Sequence, residues 1–172
     1  MDVLRTRSGP EGSSLKLDIH VRWSFLYNKL MKDDRYFLDL AYGEAKKAKA
    51  NNEVPVGAVL VKDNEVVASS FNMVEKDNDI TSHAEMNVLK EAFKKLGTKN
   101  LKGLKLYVTL EPCLMCLGAL VNAHIKDICF GAIDDFKGAF THYNIDSSEF
   151  NLIYLKNKEY EAYLKDFFKD KR

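Results

Sequence analysis

The chain has 172 residues, 46% of them hydrophobic and 30% charged, the balance of an ordinary soluble globular protein. A formal net charge of +1 excludes recognition of nucleic acid by a global basic field and leaves that task to a local patch. No apolar run reaches bilayer length, so no membrane association is expected, and three cysteines, an odd number, fit a reducing cytoplasmic setting better than a disulfide scaffold.

Residues 1–30 read apart from the rest. "SGPEGSS" is turn and linker chemistry, and "VRWSFLYNKL" is too short and too weakly periodic to define an element. The segment lacks the apolar core of a signal peptide, and Asp2, Glu11 and Asp18 speak against a transit sequence. The expected organisation is an N-terminal extension over 1–30, of the kind a cloning scar leaves, and one domain over 31–172.

From Asp33 or Asp34, acidic residues suited to a helix start, Tyr36, Phe37, Leu40, Ala41, Ala45 and Ala48 recur at threes and fours. They predict a helix with one apolar stripe that ends near Asn51-Asn52. "VPVGAVLVKDNEVVASSF" predicts a hairpin turning at Lys62 to Glu65. A polar loop, "NMVEKDNDITS", leads to a helix starting near His83, with Leu89, Ala92, Phe93 and Leu96 as its buried face and Gly97 as its stop. "LKLYVTL" predicts a strand that Pro112 ends, "CLMCLGALVNA" a short helix, "DICFGAI" another strand, "FNLIYL" a further strand, and "NKEYEAYLKDFFKDKR" a final helix. Strands alternating with helices after an opening hairpin predict a three-layer α/β/α domain with a mixed sheet.

Two helix starts carry chemistry. Cys113 and Cys116, at i and i+3, share one side of a helical turn, so both sulfurs can face one point. His83, at another helix start, can complete a triangle. Three nitrogen and sulfur ligands suit zinc, and three rather than four leave a position for water, the pattern of a catalytic site. The partial positive charge of a helix N-terminus favours the thiolate form that binds metal. Glu85, two residues beyond His83, is not needed as a ligand and is free to move protons. Alone, each residue has a plainer explanation: a histidine at a helix start is usually a cap, and a glutamate in a first turn usually complements the helix dipole. The order His-x-Glu then Pro-Cys-x-x-Cys, each part ahead of a helix, argues against coincidence.

The arrangement H-A-E…E-P-C-L-M-C resembles the signature of the zinc-dependent cytidine-deaminase-like superfamily. "EVPVGAVLV", Phe71-Asn72, "LYVTLEPCLMC", "FGAIDD…GA" and the terminal "DFFK" narrow the resemblance to the bacterial-type tRNA-specific adenosine deaminases, over roughly Asp34 to Lys171. That resemblance implies a cytidine-deaminase-like domain with a central five-stranded mixed sheet. It also implies one Zn2+ per subunit held by His83, Cys113 and Cys116, with Glu85 as proton shuttle, and a homodimer. Asn72 matches the family's base- and sugar-contacting asparagine. The backbone around Val56, Ala84, Leu110 and Glu111 would line the base pocket, and Asp134 would touch the nucleotide flanking the target. Phe167, Phe168 and Lys169 match the terminal segment that holds the tRNA anticodon stem-loop. The implied reaction is hydrolysis of adenosine to inosine at the wobble position, with the base splayed from the loop.

Three positions depart from the family pattern: Ser82 replaces alanine, Ile133 replaces a basic residue, and "FTHYNIDSS" replaces Gly-Ser after Ala139. Two other functions stay open on sequence alone. A deaminase of a free base or nucleotide, guanine or cytosine, would use the same zinc site, because the site specifies the chemistry and not the base. An inactive zinc-stabilised binding subunit is the other, against which Glu85 and the open metal position argue. Outside the motif, Cys129 is expected to be packing and His124 a surface residue. His142 and Tyr143 are expected in the divergent loop. Lys156, Lys158, Lys165, Lys169, Lys171 and Arg172 group cations on the last helix, and "LGALVNA" is either core or a subunit contact.

Overall fold

Hydrophobic periodicity and turn chemistry place most elements where the sequence predicts them. The structure, a computed structural model, describes residues 32–169. The expected extension over 1–30, and Lys171 and Arg172, lie outside the described residues. The chain divides into two units after Lys32, and the second carries every element below.

Helix α1 (Asp34–Ala50) opens on Asp33, whose side chain accepts from the Tyr36 N–H, satisfying one of the helix's free donors. Strands β1 (Gly57–Lys62) and β2 (Glu65–Phe71) form the hairpin. Its two turn residues, Asp63 and Asn64, both have positive φ, 48° and 65°, the twist that matches paired strands. The segment expected to be a polar loop contains a single short helix, α2 (Val74–Asp77), stopped by Asn78 in the left-handed region. Helix α3 (Ala84–Leu96) ends on Gly97, also left-handed. Strand β3 (Lys105–Leu110), helix α4 (Leu114–Asn122), strand β4 (Asp127–Ala132), strand β5 (Asn151–Tyr154) and helix α5 (Lys158–Lys169) complete the domain.

The sheet order is β2-β1-β3-β4-β5. β1 runs antiparallel to β2 and β3, while β3, β4 and β5 run parallel. This is the expected five-stranded mixed sheet. Alternation along the strands divides the core. Ala58, Leu60, Leu106 and Val108 face Val88, Leu89 and Ala92 of α3 and Leu117 and Leu120 of α4. Val59, Val61, Tyr107 and Cys129 face Phe37 and Ala41 of α1. Tyr160 of α5 closes that second layer against Tyr42 and Ala45. The result is the three-layer α/β/α architecture. Cys129 is fully buried in this packing, as expected.

Gly57 shows how tightly α1 lies on the sheet: a Cβ there would stand 2.1 Å from the Ala41 carbonyl oxygen. At the other end of the α1–β3 contact, Asp34 Oδ1 accepts from Lys105 Nζ and from Tyr107 Oη, both at 2.6 Å. One expectation about the core fails. Leu96 is 41% exposed, because the buried stripe of α3 ends at Ala92 and the partly buried Phe93, and the last turn faces solvent.

Candidate metal centre and active site

The carboxyl ends of β2, β3 and β4 and the start of β1 meet at one edge of the sheet, where α3 and α4 begin. His83 and Cys113 are the N-cap residues of those helices, in extended conformation, and neither side chain serves as a cap. The imidazole and thiol are thereby left to face each other. His83 Nδ1 lies 3.5 Å from Cys116 Sγ and 3.8 Å from Cys113 Sγ, and the three ligand atoms all fall within 4.8 Å of one another. Nitrogen and sulfur ligands held at about 2.0–2.3 Å from a common tetrahedral centre would stand about 3.5 Å apart, so the set fits zinc.

The electrostatics agree with a shared cation. The Cys113 thiol is pushed down to about 4, chiefly by its hydrogen bond with Cys116, with His83 assisting and burial opposing. Cys116 is driven upward by the same sharing and by burial. A divalent metal bound there would displace the proton that the two sulfurs share, which leaves to solvent. His83 is raised, first by Cys113. Glu85, in the first turn of α3 and 4% exposed, is pushed up to about 7, with burial the largest cause. Burial thus raises the proton affinity of Glu85 above that of a free carboxyl, the direction that general acid–base work requires.

Asn72 lies just beyond β2 and is buried. Its N–H donates to the Val56 carbonyl at 3.0 Å, and the next N–H, Met73, donates to the Ser82 carbonyl at 2.9 Å. The structure thus brings Asn72, Val56 and the residue before His83 together. Ser82, where alanine is usual, is buried with its hydroxyl bonded to Asp77 at 2.9 Å, so the substitution is absorbed locally. Ala84 is fully buried. Leu110 is partly buried and pairs with Ala132 in the sheet.

Glu111 is enclosed, and its backbone N–H is spent on the Ala132 carbonyl at 2.9 Å. Its carboxylate accepts from the N–H groups of Asp134, Phe140 and Thr141 at 3.2, 2.9 and 2.8 Å. Glu111 therefore holds the loop over 134–141 to the turn that leads into the CxxC helix, a role that the sequence pattern does not indicate. Gly138 sits where any Cβ would strike this carboxylate at 2.5 Å, and it pairs with Cys113. Within the loop, Asp134 Oδ1 accepts from the Phe136 and Lys137 N–H groups, both at 3.0 Å. Ile133 is 41% exposed. His142 reaches the Asp135 carbonyl at 3.0 Å and stacks edge-on with Tyr143, and both are exposed at the surface, as is His124.

On α5 the three terminal residues separate. Phe167 is buried, while Phe168 and Lys169 are exposed. The apolar helix α4 is also divided: Cys116, Leu117 and Leu120 are buried, and Leu114, Gly118 and Val121 face outward. Glu53, fully buried and hydrogen-bonded to Asn72, is the site-edge residue that sequence reasoning missed. The only available signal was its place in "EVPVGAVLV".

Residues 31–172 match the family model of the MafB19-like deaminases. A tRNA-specific adenosine deaminase of Aquifex aeolicus is 42% identical over 149 residues, spanning 80% of this chain and 95% of that protein. The Bacillus subtilis enzyme of the same name is 48% identical over 104 residues, 60% of this chain and 65% of its own. A solved structure from work on A-to-I editing by tRNA:A34 deaminases at the wobble position of transfer RNA superposes with a TM-score of 0.67 at 37% identity, covering 76% of this chain and 99% of that one. A guanine deaminase from Bacillus subtilis superposes at 0.59 with 29% identity, covering 80% and 94%.

Proposed function

The chain belongs to the tRNA-specific adenosine deaminases within the MafB19-like deaminase family, and from that premise we propose that it converts adenosine to inosine at the wobble position of the tRNA anticodon. The observation that carries the reading is the buried Glu85 beside a His-Cys-Cys triad of metal-ligand geometry. It stands in a chain that aligns with a tRNA-specific adenosine deaminase over 95% of that enzyme's length.

His83, Cys113 and Cys116 would hold zinc, which supplies Lewis acidity that makes water nucleophilic near neutral pH. Glu85 takes a proton from the attacking water and returns it to the nitrogen leaving C6, so that a C–O bond forms, the C–N bond breaks, and inosine and ammonia result. Burial keeps Glu85 out of bulk solvent, so its proton stays with the reacting atoms. Asn72 orients the nucleoside at the pocket edge, alongside the backbone of Val56, Ala84 and Leu110. Asp134 lies in the loop proposed to meet the flanking nucleotide, and Phe168 and Lys169 are the exposed end of the helix proposed to hold the stem-loop. The protein is proposed to work in the cytoplasm as a homodimer, burying the outward face of α4 against a second copy.

The guanine deaminase likeness supplies the competing substrate class. Zinc-loaded protein is given an anticodon stem-loop carrying a wobble adenosine and, separately, a panel of free bases and nucleosides. Inosine in the stem-loop with no ammonia from the panel is expected. Ammonia from guanine or cytosine alone would keep the chemistry and overturn the substrate.

A further inference from the structure

Two enclosed carboxylates take no part in the proton chemistry. Glu111 anchors the loop over 134–141. Glu53 lies against Asn72, reached by a chain that leaves α1 and turns at Asn52, where φ is 60°. It is fully buried. Its Oε2 accepts from Asn72 Nδ2 at 3.1 Å and from the Glu75 N–H at 3.2 Å, and its Oε1 accepts from the Lys76 N–H at 2.7 Å. Among the described residues no cationic side chain forms an ion pair with it.

A carboxylate that meets only donors dictates the orientation of any amide placed against it. An asparagine side chain has a donor end and an acceptor end of nearly equal size, and packing alone hardly distinguishes them. Glu53 does. With the amide reversed, Asn72 Oδ1 would point at Glu53 Oε2, two acceptors with no proton between them. Among the described residues nothing donates to Asn72 Oδ1. That oxygen and the second Nδ2 hydrogen are therefore the groups left for a ligand.

We propose that Glu53 is a positioning residue for Asn72: its buried carboxylate locks the Asn72 amide in the one orientation that meets the bound nucleoside. The inference rests on the deaminase reading. The plainer role, tying down α2 through the Glu75 and Lys76 N–H groups, does not pass through Asn72, and this separates the two experimentally.

Four zinc-loaded full-length variants are compared with wild type for kcat and KM on the wobble-adenosine stem-loop, and for zinc content: E53Q, N72A, E53Q/N72A and E53Q/N72D, with N72D as reference for the last. E53Q is expected to keep zinc and to lose roughly tenfold or more in kcat/KM, as for a hydrogen bond to a charged group. In the N72A background the same change is expected to cost less than about twofold, because the group it orients is gone. N72D sets two carboxylates face to face. Adding E53Q restores a donor–acceptor pair with the polarity exchanged and is expected to recover activity relative to N72D.

Equal losses from E53Q in both backgrounds, or no loss in either, would overturn the proposal. If E53Q alone does not fold, the exchange decides: recovery in E53Q/N72D supports the pairing, and no recovery overturns it. A wild-type chain that makes no inosine on the stem-loop fails the functional reading, and the inference falls with it. An active wild type with additive variants fails the inference alone.

Discussion

Glu85 and Cys129 show how burial gives opposite results in different company. Burial pushes the Cys129 thiol up to about 12, with Asp34 adding to the rise and Lys105 and Arg35 opposing it, and packed among Phe37, Ala41, Val59 and Tyr107 the group is an inert filler. Burial also raises Glu85, but only to about 7, because its own backbone N–H and His83 favour the charged form. One residue is silenced and the other is placed where it can both accept and release a proton. Glu85→Gln preserves the volume and removes that capacity. Zinc content and melting temperature are expected to stay near wild type while kcat for inosine formation falls by about 10^3-fold, within the usual range for a general acid–base group. Turnover near wild type in a zinc-replete Glu85→Gln protein would remove the assigned role. The triad and Glu85 were legible in sequence because short spacings on two helix starts encode them. Glu53 and the Glu111 carboxylate were not, since their partners lie at least 19 and 23 residues away and no local pattern records such contacts.

Between elements, the polar clasp of Asp34 with Lys105 and Tyr107 joins the first turn of α1 to β3. Burial alone would raise Asp34, but the hydrogen bonds from Lys105 and Tyr107 together outweigh it and hold the carboxyl below its usual range. A depressed folded-state pKa contributes stability above the unfolded value, about 3.9, that is lost as pH falls through the folded value. Asp34→Asn is expected to lower the melting temperature at pH 7 by about 2–4 °C, corresponding to roughly 1 kcal/mol for a partly exposed pair. The gap to wild type should close as pH drops below that window, and a gap that stays constant to pH 2 would assign the loss to packing instead.

The helices were legible where caps and stripes coincide, as at Asp33, Gly97 and the α1 periodicity. The four-residue α2 was not, since one turn is too short to show a period. The terminal helix separates residues that the sequence groups together. "DFFK" reads as one contact segment, yet a helix turns about 100° per residue, so neighbouring phenylalanines point to different sides. Phe167 went into the core and Phe168 stayed outside. Removing the whole segment would therefore mix folding with binding. Phe168→Ala and Lys169→Ala, leaving Phe167 in place, separate them. Each is expected to weaken stem-loop binding with melting unchanged. Loss of the lysine should also reduce the salt dependence of log Kd by about one unit of slope per phosphate contact removed. Lys169 meets Asp166 at 3.3 Å with both side chains largely exposed, a pair too weak to withhold it from RNA. Unaltered binding in both variants would make the helix end purely structural.

For the molecule as a whole, a net charge of +1 means that RNA affinity must come from where cations sit rather than from how many there are. Pairing two copies would double the available cationic surface and give the outward face of α4 a use. That face carries Leu114 and Val121, 42% and 51% exposed, with Gly118 between them offering no side chain to hold a partner at a distance. The helix is preceded by its N-cap Cys113 and carries Cys116 on its opposite, buried side, so an interface there would brace two of the three candidate metal ligands from behind. Val121→Glu sets a charge in the middle of that face without touching the core. In sedimentation equilibrium the variant is expected to have the mass of one chain where wild type has that of two. Zinc content should be unchanged, because the candidate ligands His83, Cys113 and Cys116 all come from one chain. A Val121→Glu protein that still sediments as a dimer would move the interface off α4, and a wild type that sediments as a monomer would remove the homodimer altogether.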